Sequence, residues 1–95
     1  MEGGRVAIGK IMKAVRVYST LVCPYCINAK QLLESHGVSY EEIRIDKDTQ
    51  KREEMERLSG QRTVPQIFIG DRHVGGYTDL KKLSDSGELI RWLNN

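Results

Sequence analysis

The chain contains the stretch AVRVYSTLVCPYCINAKQLLESH at residues 14–36, in which a strand pattern runs through a short loop into a helix pattern. Residues 14–19 are rich in β-branched and aromatic side chains, which is typical of a strand. Pro24 suits the first helical position, because the N–H that proline lacks has no intrahelical partner there. The pair Cys23 and Cys26 therefore lies at the start of a helix that follows a strand.

The rest of the chain predicts further strands and helices around this unit. The predicted strands are 38–45, 66–69 and 72–74, and the predicted helices after the first are 46–58, 78–84 and 88–93. Ile27 and Leu58 are predicted to face inward, and Gly75 with Gly76 to break the sheet. A strand–helix–strand start requires a parallel crossover, and residues 70–71 (Gly-Asp) indicate an antiparallel hairpin. The order predicts an α/β domain with a four-stranded mixed sheet flanked by helices.

Length, composition and cysteine content restrict the class of protein. The 95 residues are enough for one domain, which we expect at 12–95, with residues 1–11 an N-terminal extension that need not be ordered. A net charge of +2 without a basic run among aromatics argues against nucleic acid, and the apolar runs are too short for a membrane span. Two cysteines three positions apart close too short a loop to stabilise the fold much. We therefore expect reactive or metal-binding thiols in a reducing compartment, the cytoplasm.

The Cys-Pro-Tyr-Cys segment is interpreted as a redox pair rather than a metal site. Unpaired N–H groups and the helix dipole favour the thiolate of Cys23, while Cys26, one turn further, is placed to resolve a mixed disulfide. A zinc half-site would need more ligands, and the two histidines, His36 and His73, lack ligand spacing and are predicted to be surface residues without chemistry. Two inert buried cysteines are the remaining alternative, which the strand-then-helix context makes the weaker one.

Three motifs together resemble a known family. Cys-Pro-Tyr-Cys is followed by Thr-Val-Pro at residues 63–65 and by Gly-Gly-Tyr-Thr-Asp at residues 75–79. In this order they resemble the dithiol glutaredoxins, the bacterial ones in particular, whereas thioredoxins usually carry Cys-Gly-Pro-Cys. The resemblance covers residues 12–95 and implies a thioredoxin-like fold with glutathione as co-substrate and no metal.

The resemblance also implies which residues act. Cys23 would be the nucleophile and Cys26 the resolving thiol. The glutathione groove would be formed by Tyr25, Arg52, Thr63, Val64, Pro65, Gly76, Thr78 and Asp79. Asp79 offers an acid to the γ-glutamyl ammonium, the helix start at Thr78 offers N–H groups to a carboxylate, and Arg52 offers a cation to the glycyl carboxylate. The backbone of Val64, before a proline expected to be cis, would pair with the cysteinyl unit.

One position departs from the family pattern. Many glutaredoxins carry a lysine three residues before the first cysteine, where this chain has Thr20. A hydroxyl brings no charge to that place. We therefore expect weaker glutathione affinity, or a less acidic Cys23, than in relatives with the lysine.

The implied function is the reduction of protein disulfides and of glutathione mixed disulfides, by a monomer acting on disulfide-bonded or glutathionylated proteins. One alternative is an iron–sulfur carrier in which Cys23 and glutathione ligate a cluster that bridges two chains; the rigid Pro24 and the competing Cys26 argue against it. Another is a thioredoxin-type donor reduced by a flavoprotein reductase. Such donors lack the Gly-Gly-x-x-Asp run that residues 75–79 carry.

Overall fold

The computed structural model describes residues 12–94, so the extension predicted at 1–11 lies outside the described residues. The elements in chain order are β1 (Val15–Ser19), α1 (Pro24–Ser35), β2 (Glu41–Arg44), α2 (Thr49–Ser59), β3 (Gln66–Ile69), β4 (Arg72–Gly75), α3 (Tyr77–Ser86) and α4 (Glu88–Asn94). Within the described range, no helix is both long and apolar enough to cross a membrane.

The four strands form one mixed sheet in the order β2-β1-β3-β4. β1 is parallel to β2 and antiparallel to β3, and β3 and β4 form an antiparallel hairpin. Helix α1 makes the crossover between the two parallel strands. The predicted fold class is thereby confirmed.

The sheet separates two apolar clusters. Successive side chains of a strand point to opposite faces of the sheet, so Val15 and Val17 pack in one cluster and Tyr18 packs in the other. The larger cluster packs the sheet against α1, α3 and α4 through Val15, Val17, Ala29, Leu33, Val38, Ile67, Ile69, Leu80, Leu89 and Leu93. The smaller one packs it against α2 through Tyr18, Ile43, Ile45, Met55 and Phe68.

Two predicted core positions are wrong, and some boundaries move. Ile27 is 46% exposed because the buried stripe of α1 runs through Cys26, Ala29 and Leu33, and Ile27 lies beside that stripe. Leu58 is 45% exposed because α2 has the sheet on one side only and buries Met55 there. The predicted strand 38–45 shortens to β2. Gly75 does not break the sheet but is the buried last residue of β4.

Helix α2 is tethered to the sheet by a hydrogen bond as well as by Met55. The buried Tyr18 hydroxyl donates to a Glu54 carboxylate oxygen and accepts from Arg16 Nη1 at 3.1 Å. Burial raises the pKa of Tyr18 to about 12, and the hydrogen bond to Glu54 is the second largest cause of this rise. The same hydroxyl, helped by Lys51, holds the pKa of Glu54 below its usual value.

We predict that Tyr18→Phe lowers the free energy of unfolding by about 2 kcal/mol at pH 7, since it removes the hydrogen bond to the Glu54 carboxylate and the one from Arg16. A carboxyl whose pKa is depressed by folding stabilises the fold above its unfolded pKa, and that contribution is lost as the pH falls through the folded pKa. The difference in the free energy of unfolding between wild type and Tyr18→Phe should therefore become smaller below about pH 4. Urea titrations across this range measure it.

Tyr40→Phe is the matched control, because the Tyr40 hydroxyl donates to an exposed Glu34 at 2.6 Å. This variant should lose less stability than Tyr18→Phe at pH 7. Equal losses in both variants at every pH would contradict the tether.

Candidate active site

The two cysteines form a disulfide at the start of α1, with their Cα atoms 5.2 Å apart. Cys23 is the N-cap residue, in extended backbone, and the Cys26 N–H lies 3.1 Å from Cys23 Sγ. Cys23 is 8% exposed and Cys26 is 1% exposed. An incoming reactant therefore meets Cys23 first, while Cys26 sits behind it in the first helical turn.

The loop before β3 forms the opposite side of the site. The Val64–Pro65 peptide bond is cis, as expected. The Val64 carbonyl oxygen lies 4.0 Å from Cys23 Sγ. Pro65 is buried and Val64 half-buried, so the loop is anchored at Pro65 while the Val64 carbonyl lies next to Cys23.

A cavity of about 410 Å³ adjoins this loop. It collects seven of the residues predicted for the groove: Tyr25, Thr63, Val64, Pro65, Gly76, Thr78 and Asp79. Arg52 is exposed on α2 and does not border the cavity. The structure thus brings together every predicted groove residue except Arg52.

Six further residues line the cavity that were not among the predicted groove residues, namely Gln61, Gln66, His73, Val74, Gly75 and Tyr77. Tyr77 stacks on Tyr25, with the ring centroids 6.2 Å apart. His73 is exposed, as predicted, yet its Nε2 lies 2.7 Å from Oε1 of the buried Gln66. A clue to Tyr77 was its position inside the Gly-Gly-Tyr-Thr-Asp run; the pairing of Gln66 with His73 has no such local signal.

The far end of the cavity is the start of α3. Gly76 is the N-cap, and its N–H donates to Asp79 Oδ2 at 3.1 Å. Gly75 has φ +119°, and a Cβ there would collide with the Asp79 carboxylate. Asp79 therefore keeps its place because residue 75 has no side chain.

Within residues 12–94, no three His, Cys, Asp or Glu side chains gather in an arrangement that could hold a metal ion. The site contains a disulfide-forming pair at a helix start, and Cys23 lies next to a cis-proline loop. That loop borders the cavity, although neither cysteine is among the residues that line it. In a thioredoxin-like fold, these features define a thiol–disulfide oxidoreductase.

Comparisons with known proteins narrow this class to one family. The glutaredoxin family model matches residues 15–74. A glutaredoxin of Neisseria meningitidis serogroup A is 51% identical over 84 residues, which cover 87% of this chain and 99% of that protein. The solution structure of glutaredoxin from Brucella melitensis has a TM-score of 0.78 at 44% identity, covering 88% of this chain and 91% of the other. A crystal structure of a buckwheat glutaredoxin–glutathione complex has a TM-score of 0.77 at 29% identity, covering 94% of this chain and 84% of the other.

The chain belongs to the glutaredoxin family. It is a glutathione-dependent thiol–disulfide oxidoreductase with a redox-active Cys23–Cys26 pair. The comparisons do not favour the iron–sulfur carrier considered above.

We predict that Gly75→Ala raises the KM for a glutathionylated peptide about tenfold. The new methyl group would displace the Asp79 carboxylate from the Gly76 N–H, and Asp79 is the acid predicted to bind the γ-glutamyl ammonium. Steady-state kinetics with glutathione and glutathione reductase measure the effect.

Gly37→Ala is the matched control, since Gly37 also has a positive φ, +71°, but has open space around its missing Cβ. It should lower stability by about 1 kcal/mol and leave the KM unchanged. If both variants shift the KM alike, the change reflects general strain and the role given to Gly75 is wrong.

Proposed function

We propose that this protein reduces glutathionylated protein thiols and protein disulfides, with Cys23 as nucleophile and Cys26 as resolving thiol. The observation that carries the proposal is the position of Cys23. Cys23 is the more exposed residue of the pair and the N-cap of α1, and its sulfur lies 4.0 Å from the carbonyl oxygen of Val64 in the loop that borders the cavity. A reactant held along this loop has its sulfur next to Cys23.

The cavity suits an extended glutathione chain. Val64 offers backbone groups to the cysteinyl unit, in the manner of a short added strand. Asp79 and the N–H groups at the start of α3 complement the ammonium and carboxylate of the γ-glutamyl end. Tyr25, Thr63, Pro65, Gly76 and Thr78 complete the walls, and Arg52 supplies a cation for the glycyl carboxylate from outside them. The buckwheat relative was solved in complex with glutathione, which supports glutathione as the ligand.

Reduction of a glutathionylated protein needs Cys23 alone. The Cys23 thiolate attacks the glutathione sulfur, an S–S bond forms between them, and the protein sulfur leaves as a thiolate that takes up a proton. A second glutathione thiolate then attacks the glutathione sulfur on Cys23. Oxidised glutathione leaves and the Cys23 thiolate is regenerated, so the net reaction consumes one free glutathione and joins it to the glutathione that the substrate carried.

Reduction of a protein disulfide needs both cysteines. Cys23 forms a mixed disulfide with one substrate sulfur and releases the other. The Cys26 thiolate then attacks Cys23, freeing the second substrate thiol and leaving the Cys23–Cys26 disulfide for glutathione to reduce. The Cα separation of 5.2 Å allows this bond without a change in the helix.

We also propose that the protein works as a monomer in the cytoplasm, on disulfide-bonded or glutathionylated proteins rather than nucleic acid or membranes, and without a metal. A pair that must be reduced after each turnover suits a reducing compartment. The mild net charge of +2 gives only a weak attraction to a polyanion.

The test is a pair of single substitutions, Cys23→Ser and Cys26→Ser. Cys26→Ser should keep activity on a glutathionylated peptide within about threefold of wild type and lose at least about tenfold on a protein disulfide, because only the second route uses Cys26. Cys23→Ser should abolish both activities, measured as NADPH oxidation coupled through glutathione reductase. Residual activity of Cys23→Ser on the peptide would refute its role as nucleophile.

Thr20→Lys tests whether the missing lysine near Cys23 affects the acidity of this thiol and the binding of glutathione. The added charge should lower the Cys23 pKa, measured by thiolate absorbance, and lower the KM for glutathione about two- to threefold, as expected for one partly exposed ion pair. Leu21→Lys is the control, because Leu21 is 69% exposed and brings the same charge to the neighbouring position. No change in either quantity, or equal changes in both variants, would show that position 20 has no special place in the groove.

A further inference from the structure

A chain of hydrogen bonds connects an exposed histidine to the loop that faces Cys23. His73 Nε2 lies 2.7 Å from Gln66 Oε1. Gln66 Nε2 in turn lies 3.0 Å from the Thr63 carbonyl oxygen and 3.3 Å from Thr63 Oγ1. Gln66 is 3% exposed, and its side chain links β4 to the cis-proline loop at the wall of the cavity.

The chemistry of these groups fixes the direction of the chain. The Thr63 carbonyl oxygen only accepts, so the Gln66 NH₂ group must face it, and a flipped amide would set two acceptors against each other. Gln66 Oε1 then faces His73 and needs a donor. The His73 ring must therefore carry its proton on Nε2.

His73 is held in place by ring packing, and Gln66 by its place in β3 and its hydrogen bonds. The His73 ring lies against the buried Phe68, with centroids 4.9 Å apart, and Arg16 covers the same Phe68 ring at 4.9 Å. Gln66 is the first residue of β3, directly after Pro65. A buried amide that loses a partner incurs a desolvation penalty, so Gln66 has a strong preference for this one arrangement.

We infer that Gln66 and His73 are positioning residues for the glutathione groove. Gln66 fixes the Thr63 carbonyl and hydroxyl, and with them the peptide that leads into Val64, whose backbone receives the cysteinyl unit. His73 acts through Gln66 by holding its amide in the productive orientation. This inference rests on the groove proposed above and adds two residues that set its shape.

The first test uses the unaltered protein. Nitrogen-15 NMR of the imidazole identifies which ring nitrogen of neutral His73 carries the proton. The inference requires Nε2–H, together with a well-dispersed Gln66 side-chain amide signal. A neutral ring protonated on Nδ1 would overturn the inference, and this result does not depend on whether any variant folds.

The second test separates the donor from the ring. His73→Phe keeps an aromatic ring against Phe68 but removes the donor, whereas His73→Gln restores an N–H near the position of Nε2. His73→Phe should raise the KM for a glutathionylated peptide about three- to tenfold with kcat within twofold, and His73→Gln should recover at least half of that loss. The rate at which iodoacetamide alkylates reduced Cys23 should stay within twofold of the wild-type rate in both variants.

His36→Ala is the control, because the other histidine caps the far end of α1 and contacts Ser84 at 2.8 Å. It should leave the KM unchanged. A KM in His73→Phe equal to that in His36→Ala, or no recovery in His73→Gln, would overturn the inference. If wild type itself fails to reduce the glutathionylated peptide, the proposed function fails instead, and the NMR result still reports on the hydrogen-bond chain.

Discussion

The antiparallel register between β1 and β3 is the constraint on which the site depends. Tyr18 lies opposite Gln66, so the chain leaving β1 and the chain approaching β3 meet at the same end of the sheet. The first of these segments leads to Cys23 and the second contains Val64. A slip of one residue would turn Tyr18 away from its cluster and separate the sulfur from the Val64 carbonyl. Burial of Tyr18 and Phe68 on one face thus also secures the reactive geometry on the loops.

A bulge in β4 provides the second constraint. Phe68 lies opposite His73 while Ile67 lies opposite Gly75, so Val74 is an extra residue on that strand. Before the bulge, His73 shares the face of Phe68 and reaches diagonally to Gln66, two residues along β3. After it, the chain turns at Gly75, and its positive φ sets the next residues beside the cavity.

The sequence allowed the order of the elements, the mixed sheet and the redox pair to be predicted, because each depends on local signals. Pro24 and the strand before it identified the helix start that carries Cys23. Burial was predicted less well on the helices, because the periodicity of apolar residues identifies the buried face of a helix but not how wide that face is. Ile27 and Leu58 were placed inward for that reason and are exposed. Arg52 matched a family position, yet its helix leaves it outside the cavity lining.

The unpredicted part of the site is the part built from pairs distant in sequence. Gln66 and His73 meet because of a register and a bulge that no local pattern encodes. The proposed groove is nevertheless recognisable from sequence, because it relies on backbone groups: the peptide of Val64 and the N–H groups that open α3. Backbone shape depends on few residue types, here Pro65 and Gly75, so the short motifs that contain them carry most of the information. Side chains such as Gln66 then act by keeping that backbone in place, which is a role that motif matching does not detect.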